Sequence, residues 1–175
     1  MLPRTGAHHG PLSAGAGMGA SFELKRIVFL GANVPIILQN ENGPCPLIAI
    51  CNVLLLRQQI KIAADIVTID TDSLLSMLAQ HIVDHNDKST DQNTQTAVSD
   101  VLSLLPSLST GLDVNLKFAS CLGFEATTQM CCFDVTDIRL FHGWLVDPAA
   151  ESEMATILSR MSYNAVSGRG QDARV

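Results

Sequence analysis

Apolar and polar positions divide the chain into segments of different period. "ELKRIVFL" and "VPIIL" are short, apolar and β-branched, and the turn residues "GAN" separate them, which predicts two strands. A polar turn, "NENGP", then gives way to "CPLIAICNVLLLRQQ", apolar on nearly every side until Arg57. Such a run predicts a helix buried at the centre of the domain. In "IDTDSLLSMLAQHIVDH", Leu74, Leu75, Leu78 and Ile82 share one helical face, with Thr71 or Asp72 as the expected cap. "NDKSTDQNTQ" reads as a polar surface loop and "TAVSDVLSLLPSL" as a helix ending near Pro106.

The second half changes period. In "GLDVNLKF", Leu112, Val114, Leu116 and Phe118 alternate with Asp113, Asn115 and Lys117, the pattern of a half-buried strand. "CCFDVTDI" and "RLFHGWLVDP" read as further short extended pieces, and "EMATILSRMSYNAV" as a final amphipathic helix. The expected organisation is a flexible leader over 1–20, one domain over 21–166 and a polar tail over 167–175, without internal repeats. The fold class is α+β, with helices grouped in the first half and most strands later.

Composition narrows the function classes. With 175 residues, 47% hydrophobic and 16% charged, the chain has the material for one sizeable core and is too apolar for disorder. A net charge of -6 without a Lys/Arg run argues against nucleic acid as a partner. "IVFLGANVPIIL" is too short and too broken to cross a bilayer, so no membrane is expected. Five cysteines without framework spacing, and no secretory leader, predict reduced thiols and a cytoplasmic or nuclear setting.

One of those thiols is placed unlike the others. Cys45 stands between Pro44 and Pro46 at the start of the apolar run. Proline is favoured at the first helical position, so Cys45 falls at the helix N-cap, where unpaired N–H groups favour a thiolate. Gly43 and Pro44 form a turn that lets another backbone approach. An acyl-transfer site also needs oxyanion donors. Gln39 is a neutral amide able to reach back to the thiol, Asn40 and Asn42 are rivals, and Glu41 would repel an oxyanion. The competing reading makes Cys45 a structural thiol at a turn. Cys51, inside the helix, reads as core.

A base is harder to find. His8 and His9 lie in the leader. His81 and His85, with Asp84 between them, share a helix face that reads as solvated in preference to a zinc pair. Cys121, Cys131 and Cys132 lack metal-ligand spacing, so neither metal nor cofactor is expected. His142 in "FHGWLVDP" is the best base candidate by elimination, with Gly143 permitting a turn and Asp147 nearby. A satisfied histidine at a strand end is the favoured reading of the two, and on a strand Asp147 would point to the opposite face.

"QNENGPCPLIAICNVLLLR" resembles the nucleophile motif of the MINDY family of deubiquitinases, and "GLDVNLKF", "FHGWLVDP" and "SYN" at Ser162–Asn164 resemble later blocks in the same order. The resemblance covers roughly Glu23 to Val166. It implies a cysteine isopeptidase with a papain-like arrangement, acting on ubiquitin and polyubiquitin chains of the proteasome-targeting linkage, as a monomer without cofactor. It further implies Cys45 as nucleophile, Gln39 as oxyanion-hole amide, and Asp113, Val114, Trp144 and Tyr163 as parts of the ubiquitin-binding surface. For Val114 and Trp144, ordinary core packing is the alternative. The family's catalytic histidine belongs to an "NNHF"-type motif beyond the "HGWLVDP" block, and no match to it occurs before Val175. The resemblance therefore assigns that role to no residue here, and the domain reads as incomplete, as in a truncated gene model or a shortened splice form.

Overall fold

The computed structural model describes residues 20–39, 45–112, 114–147, 149 and 152–172, with the side chains of 169–172 excepted. The first two strands, β1 (Ser21–Phe29) and β2 (Ala32–Ile37), pair antiparallel from Leu24↔Ile37 to Phe29↔Ala32. A two-residue loop joins them. Leu30 and Gly31 both take positive φ, 48° and 80°, the turn whose twist matches a hairpin. A strand not expected from the sequence, β3 (Thr68–Asp70), adds to the other edge of β1, giving the order β2-β1-β3.

The apolar run forms α1 (Cys45–Leu56), which packs against β2. Leu47, Ile50, Cys51, Leu54 and Leu55 are buried, so α1 is the centre of the core as its composition predicts. Helix α2 (Thr71–Asn86) covers it with Leu74, Leu78 and Ile82, all fully buried. Its cap is Asp70, not Thr71 or Asp72: the carboxylate accepts from the Ser73 N–H at 2.7 Å. The polar loop is also shorter than expected. Asp91 accepts from the Asn93 and Thr94 N–H groups, so α3 (Gln92–Leu104) begins inside it. A 3₁₀ turn at Leu105–Ser109 follows and takes Pro106 into its first positions.

The later half departs furthest from expectation. Among the described residues of 112–118 no strand forms, and the isolated bridges Leu116↔Phe124 and Lys117↔Ser162 occur there. Asn115, expected on the solvent side, is buried because its amide donates to Ser162 Oγ and accepts from the Asn164 N–H. "CCFDV" is the helix α4 (Cys131–Val135), closed by the Thr136 hydroxyl donating back to the Cys132 carbonyl. Residues 139–147 contain no strand. The expected final helix is two, α5 (Glu153–Leu158) and α6 (Tyr163–Asp172), and α6 continues through the expected start of the polar tail. The class is α+β, but its strands come first, all within 21–70. Among the described residues no helix is long and apolar enough to cross a membrane. The leader, apart from Ala20, lies outside the described residues.

Candidate active site

Cys45 is the first residue of α1. The buried faces of the helix fix its axis, while the thiol at its start is exposed. First-turn N–H groups of a helix have no intrahelical partner and are available to donate to an oxygen held beside the thiol. The Gln39 side chain meets it from the exit of β2, with Nε2 2.7 Å from Sγ and donating. The rival amides Asn40 and Asn42, with Glu41, Gly43 and Pro44, lie outside the described residues.

Beside the thiol runs an open groove of about 430 Å³. One wall is a face of α1, with Cys45, Ala49, Ile50 and Val53; the other comes from Leu112, Val114, Phe133 and the stretch 138–140. Arg139 is the only charged residue among these. The far wall is tied back to α1 at its C-terminal end, where Arg57 Nη1 donates to the Asp137 carbonyl at 2.8 Å. An exposed thiol, an amide donor and an apolar trough therefore meet at one end of the central helix.

Of the residues expected to bind a partner, Val114 lines this groove and Asp113 lies outside the described residues. Trp144 and Tyr163 touch edge to face, with ring centroids 5.7 Å apart, and both are exposed. The "SYN" segment is stitched to the 115–118 stretch by the Asn115 bonds and by Tyr163 N–H donating to the Leu116 carbonyl. Val114 and Tyr163 thus belong to two stretches the fold joins directly.

His142 is engaged elsewhere. Its Nε2 lies 3.1 Å from the Gly123 carbonyl, and its ring packs edge-on against Phe124. A carbonyl only accepts, so Nε2 donates this bond, while Nδ1 is buried without a hydrogen-bond partner. No histidine is among the described residues lining the groove.

The remaining candidates separate by burial. Cys51 is core: burial pushes its thiol up to about 12, with the charge of nearby Cys132 adding to the effect. Burial likewise raises Cys132, to about 11. His81 corrects the reading of a solvated pair. It is buried and stacks on exposed His85 at 5.4 Å, and its Nε2 has no hydrogen-bond partner. Burial, then the charge of His85, lowers its proton affinity, against a smaller opposing pull from Asp84. Among the described residues no group of three or more His, Cys, Asp or Glu side chains is arranged to hold a metal ion. Two residues with a place near the site went unread in the sequence, Arg139 and Asn52. The second had a signal: it is the single amide in an otherwise apolar helix.

The chain has relatives among known proteins. Residues 20–171 match the model of the MINDY deubiquitinase family. The chain is 40% identical over 151 residues to ubiquitin carboxyl-terminal hydrolase MINDY-1 of Danio rerio, covering 84% of this chain and 29% of that protein. It is 40% identical over 147 residues to ubiquitin carboxyl-terminal hydrolase MINDY-2 of Homo sapiens, covering 82% and 24% respectively. For the Homo sapiens MINDY-1 enzyme the identity is 38% over 145 residues, 81% of this chain and 31% of that protein. The chain therefore spans less than a third of the length of these relatives.

Proposed function

We propose that this chain, which belongs to the MINDY deubiquitinase family, is a cysteine-type deubiquitinase that hydrolyses lysine isopeptide bonds in polyubiquitin, with Cys45 as nucleophile. The observation that carries this reading is the Gln39 amide 2.7 Å from an exposed thiol at a helix start. In the first step the Cys45 thiolate attacks the isopeptide carbonyl, forming a C–S bond and an oxyanion. The Gln39 amide and the first N–H groups of α1 donate to that oxygen, which is where charge develops. Collapse breaks the C–N bond, and the lysine amine leaves with a proton from a general acid. Water then hydrolyses the thioester, releasing the ubiquitin carboxylate and returning the thiol.

In this reading the groove beside the thiol holds the ubiquitin C-terminal segment, extended up to the scissile carbonyl. Asp113, Val114, Trp144 and Tyr163 carry the ubiquitin-binding surface beside it, and the preferred linkage is the proteasome-targeting one. The catalytic groups take the papain-like arrangement that the family resemblance implies; His142, the base candidate of the sequence, is bonded to the Gly123 carbonyl and is not among the residues lining the groove. The protein works as a monomer, without metal or cofactor, in the cytoplasm or nucleus.

One observation favours a second reading, a ubiquitin-binding module without hydrolysis: the His142 ring is bonded to the Gly123 carbonyl, and no described histidine lines the groove. Ubiquitin carrying a thiol-reactive electrophile in place of its C-terminal carboxylate separates the two. The expected result is a single adduct that peptide mapping places on Cys45 and that Cys45→Ala abolishes. A folded protein that binds ubiquitin but forms no such adduct overturns the enzyme reading in favour of the binding one. If His142 is the base, His142→Ala stops hydrolysis of ubiquitin chains while their binding persists.

A further inference from the structure

Strand β2 lies at the edge of the sheet, so the peptide groups on its outer side have no strand to bond. At its last residue they are taken by α1. Asn52 Oδ1 accepts from the Ile37 N–H at 2.7 Å, and Asn52 Nδ2 donates to the Ile37 carbonyl at 3.0 Å. One side-chain amide satisfies both backbone groups of a single residue, as a neighbouring strand would. The bonds are partly buried, and leaving either group unmet in such a place is unfavourable. The inner side of the strand is closed by Leu38 N–H donating to the Glu23 carbonyl at 2.9 Å. The exit of β2 is thus held from both sides, by β1 and by the helix.

The geometry connects this clamp to the thiol. Asn52 follows Cys45 by seven residues, which is close to two helical turns, so both lie on nearly the same face of α1, about 10 Å apart along its axis. Gln39 follows Ile37 by two residues, which in an extended chain is about 7 Å and returns the side chain to the same side. The strand exit and the helix therefore meet at two rungs, Ile37 on Asn52 and Gln39 on Cys45. The second rung is exposed, and a long flexible side chain makes it. The first is what fixes the backbone from which that side chain reaches.

We propose that Asn52 is a positioning residue for the oxyanion donor: by clamping the Ile37 peptide to α1, it holds the Gln39 amide at the Cys45 sulfur. It touches neither substrate nor thiol and acts through Gln39. The proposal rests on the reading of Cys45 and Gln39 given above, and it adds a residue whose loss is felt only while Gln39 is present. Asn52→Asp is the sharpest variant. Its carboxylate still accepts from the Ile37 N–H, but faces the Ile37 carbonyl with an acceptor where a donor stood. When protonated, a carboxyl group supplies both functions again.

The experiment measures the rate at which Cys45 of the 175-residue chain adds to ubiquitin bearing a C-terminal aldehyde, an electrophile whose carbonyl oxygen gains the charge that an oxyanion donor stabilises. Four proteins are compared: wild type, Gln39→Ala, Asn52→Asp and the double variant. Far-UV circular dichroism and thermal melting check the fold of each. Loss of one oxyanion donor lowers rates by about 10²-fold or more, so Gln39→Ala is expected in that range. Asn52→Asp is expected to slow modification by about tenfold in the wild-type background and by less than about twofold in the Gln39→Ala background. Its rate relative to wild type should also recover as the pH is lowered through the carboxyl range, because the protonated carboxyl again donates to the Ile37 carbonyl.

Equal slowing by Asn52→Asp in both backgrounds, or a folded Asn52→Asp protein as fast as wild type, overturns the positioning role. No effect from Gln39→Ala overturns the oxyanion reading itself, and the positioning role with it. Should Asn52→Asp melt before the assay temperature, Asn52→Ser, which is smaller and uncharged, is put through the same cycle and judged by the same two outcomes.

Discussion

Cys45 and Cys51 sit on one helix, six residues apart, and their surroundings give them opposite characters. Cys51 is sealed among leucines with its thiol raised to about 12, which leaves it an inert filler at neutral pH. Cys45 is exposed at the end where helix N–H groups point, with an amide at its sulfur. The sequence separated them correctly, because flanking prolines and a polar turn mark a helix start whereas apolar neighbours on every side mark a core. It misjudged His81 for a related reason. Two histidines one turn apart look alike in a string, but the α2 face that buries Leu74, Leu78 and Ile82 takes His81 with it and leaves His85 outside. The burial has a pH consequence. In the folded chain His81 binds a proton less readily than the ordinary value of 6.5, so the unfolded chain holds more protons and stability rises with pH. Stability should fall as pH drops through about 6.5 and continue falling towards the depressed folded value. Thermal melts between pH 7.5 and 5, where carboxylates stay ionised, test this. His81→Leu should flatten the dependence, and an unchanged slope in that variant would assign it to other groups.

Elements held together by local chemistry were legible, and those held by distant partners were not. The hairpin and α1 follow from β-branched runs, a Gly-containing turn and an apolar run after proline. The stretch 112–118 alternates like a strand, but its described residues meet no partner strand; their bonds go to 123–125, to Val146 and to 161–164, and a buried Asn115 is the knot. Alternation reports which faces are apolar, and only the tertiary neighbours decide whether a ladder forms. Asp70 was missed as a cap because the short strand β3 runs directly into α2, leaving no loop to mark the border. The hairpin turn offers a test at this scale. Leu30 takes φ 48°, a conformation that disfavours a side chain such as leucine, and it is 92% exposed with nothing to compensate. Leu30→Asn should therefore stabilise the protein by about 0.5–1 kcal/mol, seen as a raised denaturation midpoint without a change of slope. A lowered midpoint would mean that the leucine makes a contact worth more than the relieved strain.

At the scale of the whole molecule, the sheet and the central helix do one thing for the site: they bring the end of β2 and the start of α1 to a common point. Gln39 and Cys45 are carried there by separate elements, each anchored in the core, so their approach is set by packing. The groove shares this logic, one wall on α1 and the other tied to it through Arg57 and the Asp137 carbonyl. The chain belongs to the MINDY deubiquitinase family and spans less than a third of its relatives' length. The central claim is that Cys45 attacks isopeptide bonds. Its most direct test is to incubate the 175-residue protein with long ubiquitin chains of the proteasome-targeting linkage, alongside a Cys45→Ala protein of matched stability, and to follow the release of shorter chains on a gel. The account predicts release by the wild type and none by Cys45→Ala. Release that survives the substitution, or its absence from a wild-type protein shown to be folded and to bind the chains, would contradict it.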